Sequence, residues 1–156
     1  MQIRKFKEGD EPVLWELFYN TIHRVNITDY TEDQLDAWAP ANLDPGIWRN
    51  KIKSIKPFVV ENGGEIIGYA DVQDDGYIDH FFCHHAWQRR GIGSMLMKKI
   101  HEEAKIRGAV QLYSNVSVTA KPFFTSQGFE VVKEQSISIR GQELLNFRMQ
   151  KLLERS

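Results

Sequence analysis

The chain contains a single cysteine, Cys83, among its 156 residues. One cysteine excludes an internal disulfide and any zinc or iron–sulfur site built from several thiolates. No apolar run approaches the ~18 residues that a membrane-crossing helix requires. The opening stretch, Met1 to Asp10, is charged and lacks the apolar segment of a secretory signal, so a cytoplasmic protein is expected. An excess of either charge is missing too. Twenty Lys and Arg nearly cancel 21 Asp and Glu, for a formal net charge of −1. Nothing in bulk therefore steers the chain to nucleic acid or to anionic lipid. Repeats, linkers and low-complexity tracts are also absent. What is present is an ordinary globular composition, 42% apolar, 26% charged and 12% aromatic. The length predicts one domain over residues 1–156, with a core large enough to need no metal or disulfide staple.

The hydrophobic pattern predicts strands interleaved with helices. Gln2 to Phe6 reads as a first strand. Asp10 is placed to cap a helix with Pro12 in its first turn, carrying Val13, Leu14, Leu17, Phe18 and Ile22 on one face. Thr31 to Gln34 matches a capping box, and Asp44-Pro45 starts another helix running to about Ile55. Asn62-Gly63-Gly64 joins two strands, Phe58 to Glu61 and Glu65 to Val72. Tyr77 to Cys83 reads as one further strand. Gln88 to Arg107 is the clearest helix, with Ile92, Leu96, Ile100 and Ala104 in a stripe and Gly108 at its end. Ala109 to Val116 is a strand, Ala120 to Gln127 a short helix capped by Ser117 or Thr119, and Phe129 to Ile139 with Glu143 to Lys151 a closing hairpin. Such an order predicts an α/β (α+β) sheet layered by helices.

The most informative stretch is Gln88-Arg89-Arg90-Gly91-Ile92-Gly93-Ser94, between a strand and a long helix. A helix N-terminus leaves N–H groups unpaired and carries partial positive charge. Gly91 and Gly93 would let phosphate oxygens approach the backbone, and Arg89 and Arg90 add full charge there. Those features point to an anion site, above all for a diphosphate. The bland alternative is a glycine-containing helix start with two solvated arginines. The spacing is neither a P-loop nor the dinucleotide fingerprint.

Gln88-Arg89-Arg90-Gly91-Ile92-Gly93 resembles motif A of the GCN5-related N-acetyltransferases (GNAT), and Phe81-Phe82-Cys83-His84 stands where that family has its strand 4 and its exit. Ser117 to Phe124, followed by Gly128-Phe129, is similar to the family's motif B. Tyr30-Thr31, Gln34, Ala37-Trp38, Trp48, Thr119 to Phe124 and Asn146-Phe147 to Met149 resemble the bacterial YafP-type branch. The resemblance implies a mixed, mostly antiparallel central sheet splayed between strands 4 and 5. It implies acetyl-CoA as co-substrate, with no metal, and a small-molecule or protein amine as acceptor. Arg89, Arg90, Gly91, Ile92, Gly93 and Ser94 would hold the pyrophosphate. The backbone of Phe81, Phe82 and Cys83 would pair with pantetheine as an added strand. Ser117 stands where many members have an Asn that contacts CoA.

An ammonium cannot attack a thioester, so a base must take its proton. Here the chain departs from the family: Phe124 occupies the place of the usual acid Tyr, and Leu112 the place of a Glu base. Asp79, sharing a strand face with Tyr77, is the first candidate for the base. His80 would point the other way on a regular strand, and Tyr113 is the nearest phenol for an acid. Tyr30, Trp38 and Tyr77 are expected to line the acceptor pocket, although Tyr30, Trp38 and Trp48 also read as core. His80, His84 and His85 invite a metal reading, but alternation sends His84 and His85 to opposite faces. Cys83 reads as a buried small side chain, not a nucleophile. The exposed late strands could support a homodimer. An acyl-CoA-binding or sensing module with little or no turnover is the alternative to an enzyme.

Overall fold

A computed structural model describes residues 1–153; Glu154, Arg155 and Ser156, which fall within the expected domain, lie outside the described residues. The strands form two four-stranded sheets. The first has the order β1 (Gln2–Lys5), β2 (Phe58–Asn62), β3 (Glu65–Ala70), β5 (Phe81–Cys83). The second has the order β4 (Tyr77–Ile78), β6 (Gln111–Ser117), β8 (Gln142–Leu152), β7 (Glu130–Ile139). Every pairing is antiparallel except β4 with β6. Helices α1 (Glu11–Arg24), α2 (Glu32–Trp38) and α3 (Pro45–Ile55) cover one face, and α4 (Ile92–Ile106) and α5 (Lys121–Ser126) the other. Alternation along the strands, shifted by one residue at the β2–β3 bulge around Ile67, feeds both layers: Val59, Ile66 and Tyr69 pack with α1 and α3, Val60 and Ile67 with α4. On α4 the expected stripe of Ile92, Leu96, Ile100 and Ala104 is buried, each large side chain gaining roughly 1.5–3 kcal/mol over exposure to water. The fold class read from the sequence, strands layered between helices, is the one observed.

The single strand expected over Tyr77 to Cys83 is broken in two. Ile78 ends in the second sheet and Phe81 begins in the first, so Asp79 and His80 bridge the two sheets. The buried carboxylate of Asp71 holds this break. It accepts N–H groups from Asp79 (3.1 Å) and His80 (2.6 Å), together with the Gln73 amide at 2.7 Å. Two backbone donors that a continuous ladder would have used are thereby satisfied by a side chain. Gly76 makes the preceding turn: its φ is +90°, and a Cβ there would lie 1.8 Å from the Gln111 carbonyl oxygen.

Other expectations shift by a few residues for local reasons. The long helix begins at Ile92, not Gln88, because Arg89 and Gly91 take positive φ values of 61° and 83° and keep the preceding loop non-helical. Asp10 precedes α1 but caps nothing; its carboxylate accepts the Lys7 N–H and pairs with Arg4. Val13 is exposed, and Thr21 takes its place on the buried face of α1. The capping box is present, Thr31 Oγ1 accepting the Gln34 N–H and Gln34 Oε1 the Thr31 N–H. Tyr30, expected in a pocket, also clamps the second sheet. Its hydroxyl donates to the Leu145 carbonyl (2.6 Å) and accepts the Val118 N–H (2.9 Å).

Two outcomes follow for stability. Tyr30→Phe strands the two backbone groups that the hydroxyl joins, and should cost about 1–3 kcal/mol in denaturant unfolding; an unchanged midpoint would contradict the clamp. Burial raises the Asp71 carboxyl from 3.8 to about 6, while burial lowers the His80 imidazole from 6.5 to about 4. Between about pH 4 and 6 the folded chain holds a proton on Asp71 that the unfolded chain has released, so this group raises stability as pH falls. His80 works in the opposite sense: its contribution is complete above about pH 6.5 and is lost as pH falls towards 4. Asp71→Asn removes the first effect and leaves the second. Its Tm should therefore fall more steeply than that of the native chain on acidification through this window, and parallel curves would contradict the assignment.

Candidate active site

Where the two sheets part, β5 is bonded along one edge only. The bonds Asp71 N–H to His80 C=O and His84 N–H to Ile67 C=O set the phase of its ladder with β3. Antiparallel alternation then has Phe82 exchanging both bonds with Tyr69, while the backbone groups of Phe81 and Cys83 face away from β3. That side is the gap towards β6. The Cys83 carbonyl is taken by Thr21 Oγ1 (2.9 Å) and the Gln88 amide (2.8 Å). The N–H groups of Phe81 and Cys83 and the carbonyl of Phe81 have no partner among the described residues.

One end of the gap meets the start of α4. The first intrahelical bond there is Met95 N–H to Gly91 C=O, which leaves the N–H groups ahead of it unpaired, and the first turn carries no acidic side chain. Gly91 is exposed at φ +83°, with nothing within 4 Å of where a Cβ would be. Arg89 and Arg90 are exposed beside it, Arg90 over the Trp87 ring at 5.2 Å. Ile92 is buried in the core, so it can offer a ligand only its backbone, whereas Ser94 is exposed. Gly93 has a different reason from the one expected. A Cβ there would lie 2.9 Å from the Phe123 ring, so the missing side chain makes room for α5, and only its backbone N–H is left to meet a ligand.

The other end opens into a cavity of about 520 Å³. Of the residues expected at the site, the walls include Tyr30, Trp38, Tyr77, Asp79, Phe81, Phe82 and Ser117. The break in the strand brings Asp79 and His80 to the same cavity, where regular alternation would have separated them. Asp79 Oδ2 pairs with Lys51 Nζ at 2.5 Å. His80 lies against Phe18, ring centroids 5.4 Å apart and nearly parallel, and its Nδ1 is 2.9 Å from the Tyr69 hydroxyl. Burial raises the Tyr69 phenol, which keeps its proton, and lowers the His80 imidazole, which is neutral at pH 7, so the two neutral groups share one hydrogen bond. Phe124 lines the cavity where the family pattern has a tyrosine, and Leu112 is core.

Several expected residues lie elsewhere. Tyr113 faces solvent beside Tyr77 and is not among the cavity walls. Its hydroxyl donates to Asp75, a bond that raises its pKa, and Arg148 sits 4.4 Å over its ring. Trp48 is core, its indole N–H donating to the Glu11 carbonyl. His84 and His85 do not diverge; their rings stack at 4.4 Å because the chain leaves the strand there for a short 3₁₀ turn. Burial pushes the Cys83 thiol up to about 12, which leaves almost no thiolate at neutral pH. Sequence reading missed Asp71, Lys51 and Asn146 as parts of this region. Asp71 alone carried a usable signal, a carboxylate directly after the strand Ile66-Ile67-Gly68-Tyr69-Ala70.

Comparison with known proteins agrees with this geometry. A family model described as an acetyltransferase (GNAT) domain matches residues 26–152. The N-acetyltransferase YafP of Escherichia coli (strain K12) is 31% identical over 149 residues, covering 96% of this chain and 94% of that protein. The crystal structure of a GCN5-related N-acetyltransferase from Rhodopseudomonas palustris superposes with a TM-score of 0.93 at 27% identity, covering 97% of this chain and 95% of that one. The fold is shared as well by YncA of Salmonella typhimurium, solved with its cofactor acetyl-CoA, at a TM-score of 0.73 and 20% identity over 100% of this chain and 95% of that one. On the family match and the likeness to YafP, this chain belongs to the GNAT family of N-acetyltransferases.

Proposed function

We propose that the chain transfers the acetyl group of acetyl-CoA to a primary amine, on a small molecule or a protein, that enters the cavity walled by Trp38, Tyr77 and Phe82. The observation that carries this reading is the continuous path from the start of α4, past the free backbone groups of Phe81 and Cys83, into that cavity. A diphosphate fits the first part, an extended amide chain the second and an amine the third.

Bound acetyl-CoA supplies a thioester carbonyl open to attack and a thiolate leaving group. The N–H groups at Gly91, Ile92, Gly93 and Ser94 receive the pyrophosphate, with Arg89 and Arg90 adding charge. The Phe81 carbonyl and the Cys83 N–H pair with the amides of the pantetheine arm. The Phe81 N–H is the donor left for the thioester oxygen, and a fixed donor there stabilises the charge that develops. Ser117 closes the pocket beside the thiol, its Oγ already accepting the Ala120 N–H at 3.0 Å. Asp79 takes the proton of the acceptor ammonium, directly or through water, while Lys51 keeps its carboxylate turned to the cavity. Phe124 has no proton to give; with a thiol pKa of about 8.5, the thiolate can leave without one near neutral pH.

Saturating acetyl-CoA should raise the Tm of the native chain by several degrees. Gly91→Asp adds a side chain at a positive φ and a negative charge at the pyrophosphate, so it should weaken acetyl-CoA at least tenfold by calorimetry. Unaltered affinity in that variant would contradict the loop assignment. Asp79→Asn should lower kcat by about 10²–10⁴ with the KM for acetyl-CoA nearly unchanged, as expected when a general base is lost. Full activity would remove Asp79 from the mechanism, and acetyl-CoA binding without thiol release across an amine panel would favour a sensing module.

A further inference from the structure

Among the described residues, the cavity wall has one buried side-chain polar atom without a hydrogen-bond partner. Asn146 lies on β8 opposite Ser117, one strand in from the gap, and is 7% exposed. It lines the cavity, and its Oδ1 is buried with no hydrogen-bond partner among the described residues. The other such atom among those residues, His85 Nδ1, is not on the cavity wall. The cross-strand partners of Asn146 are engaged elsewhere: Ser117 Oγ accepts the Ala120 N–H, and the Gln135 amide donates to Asn115 Oδ1. A buried acceptor without a donor is costly, and it persists where something else supplies the donor.

We propose that Asn146 positions the acceptor: its amide oxygen accepts an N–H from the nitrogen that attacks the thioester. This rests on the acetyl-transfer reading above. The chemistry suits an amide better than a carboxylate. A neutral oxygen accepts from an ammonium and from the free amine alike, so it orients the nitrogen without favouring the protonated, unreactive form. A carboxylate at the same point would stabilise the ammonium and raise its pKa. The division of work is then clear: Asp79 takes the proton and Asn146 holds the nitrogen that loses it.

The test uses the full chain, saturating acetyl-CoA and a panel of primary amines (butylamine, 2-phenylethylamine and phenylalaninamide). For the best amine, Asn146→Leu should raise the amine KM at least tenfold while the KM for acetyl-CoA stays within twofold. Asn146→Asp should move the acidic limb of the kcat profile, which reports the bound complex, by about one pH unit to the alkaline side. Unchanged amine KM and an unmoved limb would overturn the proposal. A second readout does not depend on the acceptor. Because Asn146→Leu removes an unpaired buried acceptor, its Tm should rise by roughly 2–4 °C. A fall would show that the amide is bonded within the fold and would also overturn the proposal. A native chain that binds acetyl-CoA but turns over no amine overturns the transfer reading alone, and the Tm comparison still decides for or against Asn146.

Discussion

The carboxylate of Asp71 is the constraint on which the site depends. Buried backbone N–H groups must be paired, and a strand that leaves one sheet for another gives up its ladder at the crossing. Asp71 accepts the N–H groups of Asp79 and His80 at that crossing. Because those donors are satisfied, β4 can stay beside β6 while β5 stays beside β3, and the two sheets separate between them. Burial opposes the charge that makes the bond strong, which is why the carboxyl is raised to about 6. The break also turns Asp79 and His80 to one cavity, so a single local irregularity sets both the gap and the polar groups at its inner end.

The two ends of the site are built by different means. The end proposed for the diphosphate is mainly backbone: unpaired N–H groups at a helix start, an open glycine and two exposed arginines. The end proposed for the acceptor is built from side chains of four separate segments, with Phe18 on α1, Trp38 on α2, Tyr77 on β4 and Asn146 on β8.

Legibility in the sequence followed the same line. The start of α4 could be read because its glycines and arginines are contiguous, and because a helix stripe follows at regular spacing. The capping box at Thr31 and the helix from Pro45 were readable for the same reason, as local chemistry. The break at Asp79-His80 could not be read, because its cause is a side chain eight residues earlier in another segment. The packing reason for Gly93 is not legible in the sequence, because periodicity cannot show that Phe123 would occupy its Cβ position. Tyr113 was drawn to the chemistry by strand position, yet an exposed contact with Asp75 holds it away. Asn146 stands out in the sequence only through the resemblance to the YafP-type branch, with no role attached, since an unpartnered amide becomes visible only once its surroundings are known.

Amide hydrogen exchange at β5, with and without acetyl-CoA, tests the central claim most directly. Phe82 is already bonded to β3, so its amide should be protected in both states. Phe81 and Cys83 face the gap, so their amides should exchange quickly in the free chain and become protected when acetyl-CoA is bound. Exchange at Phe81 and Cys83 that does not change on binding would show that the opened strand edge is not where the co-substrate lies, and would contradict the account.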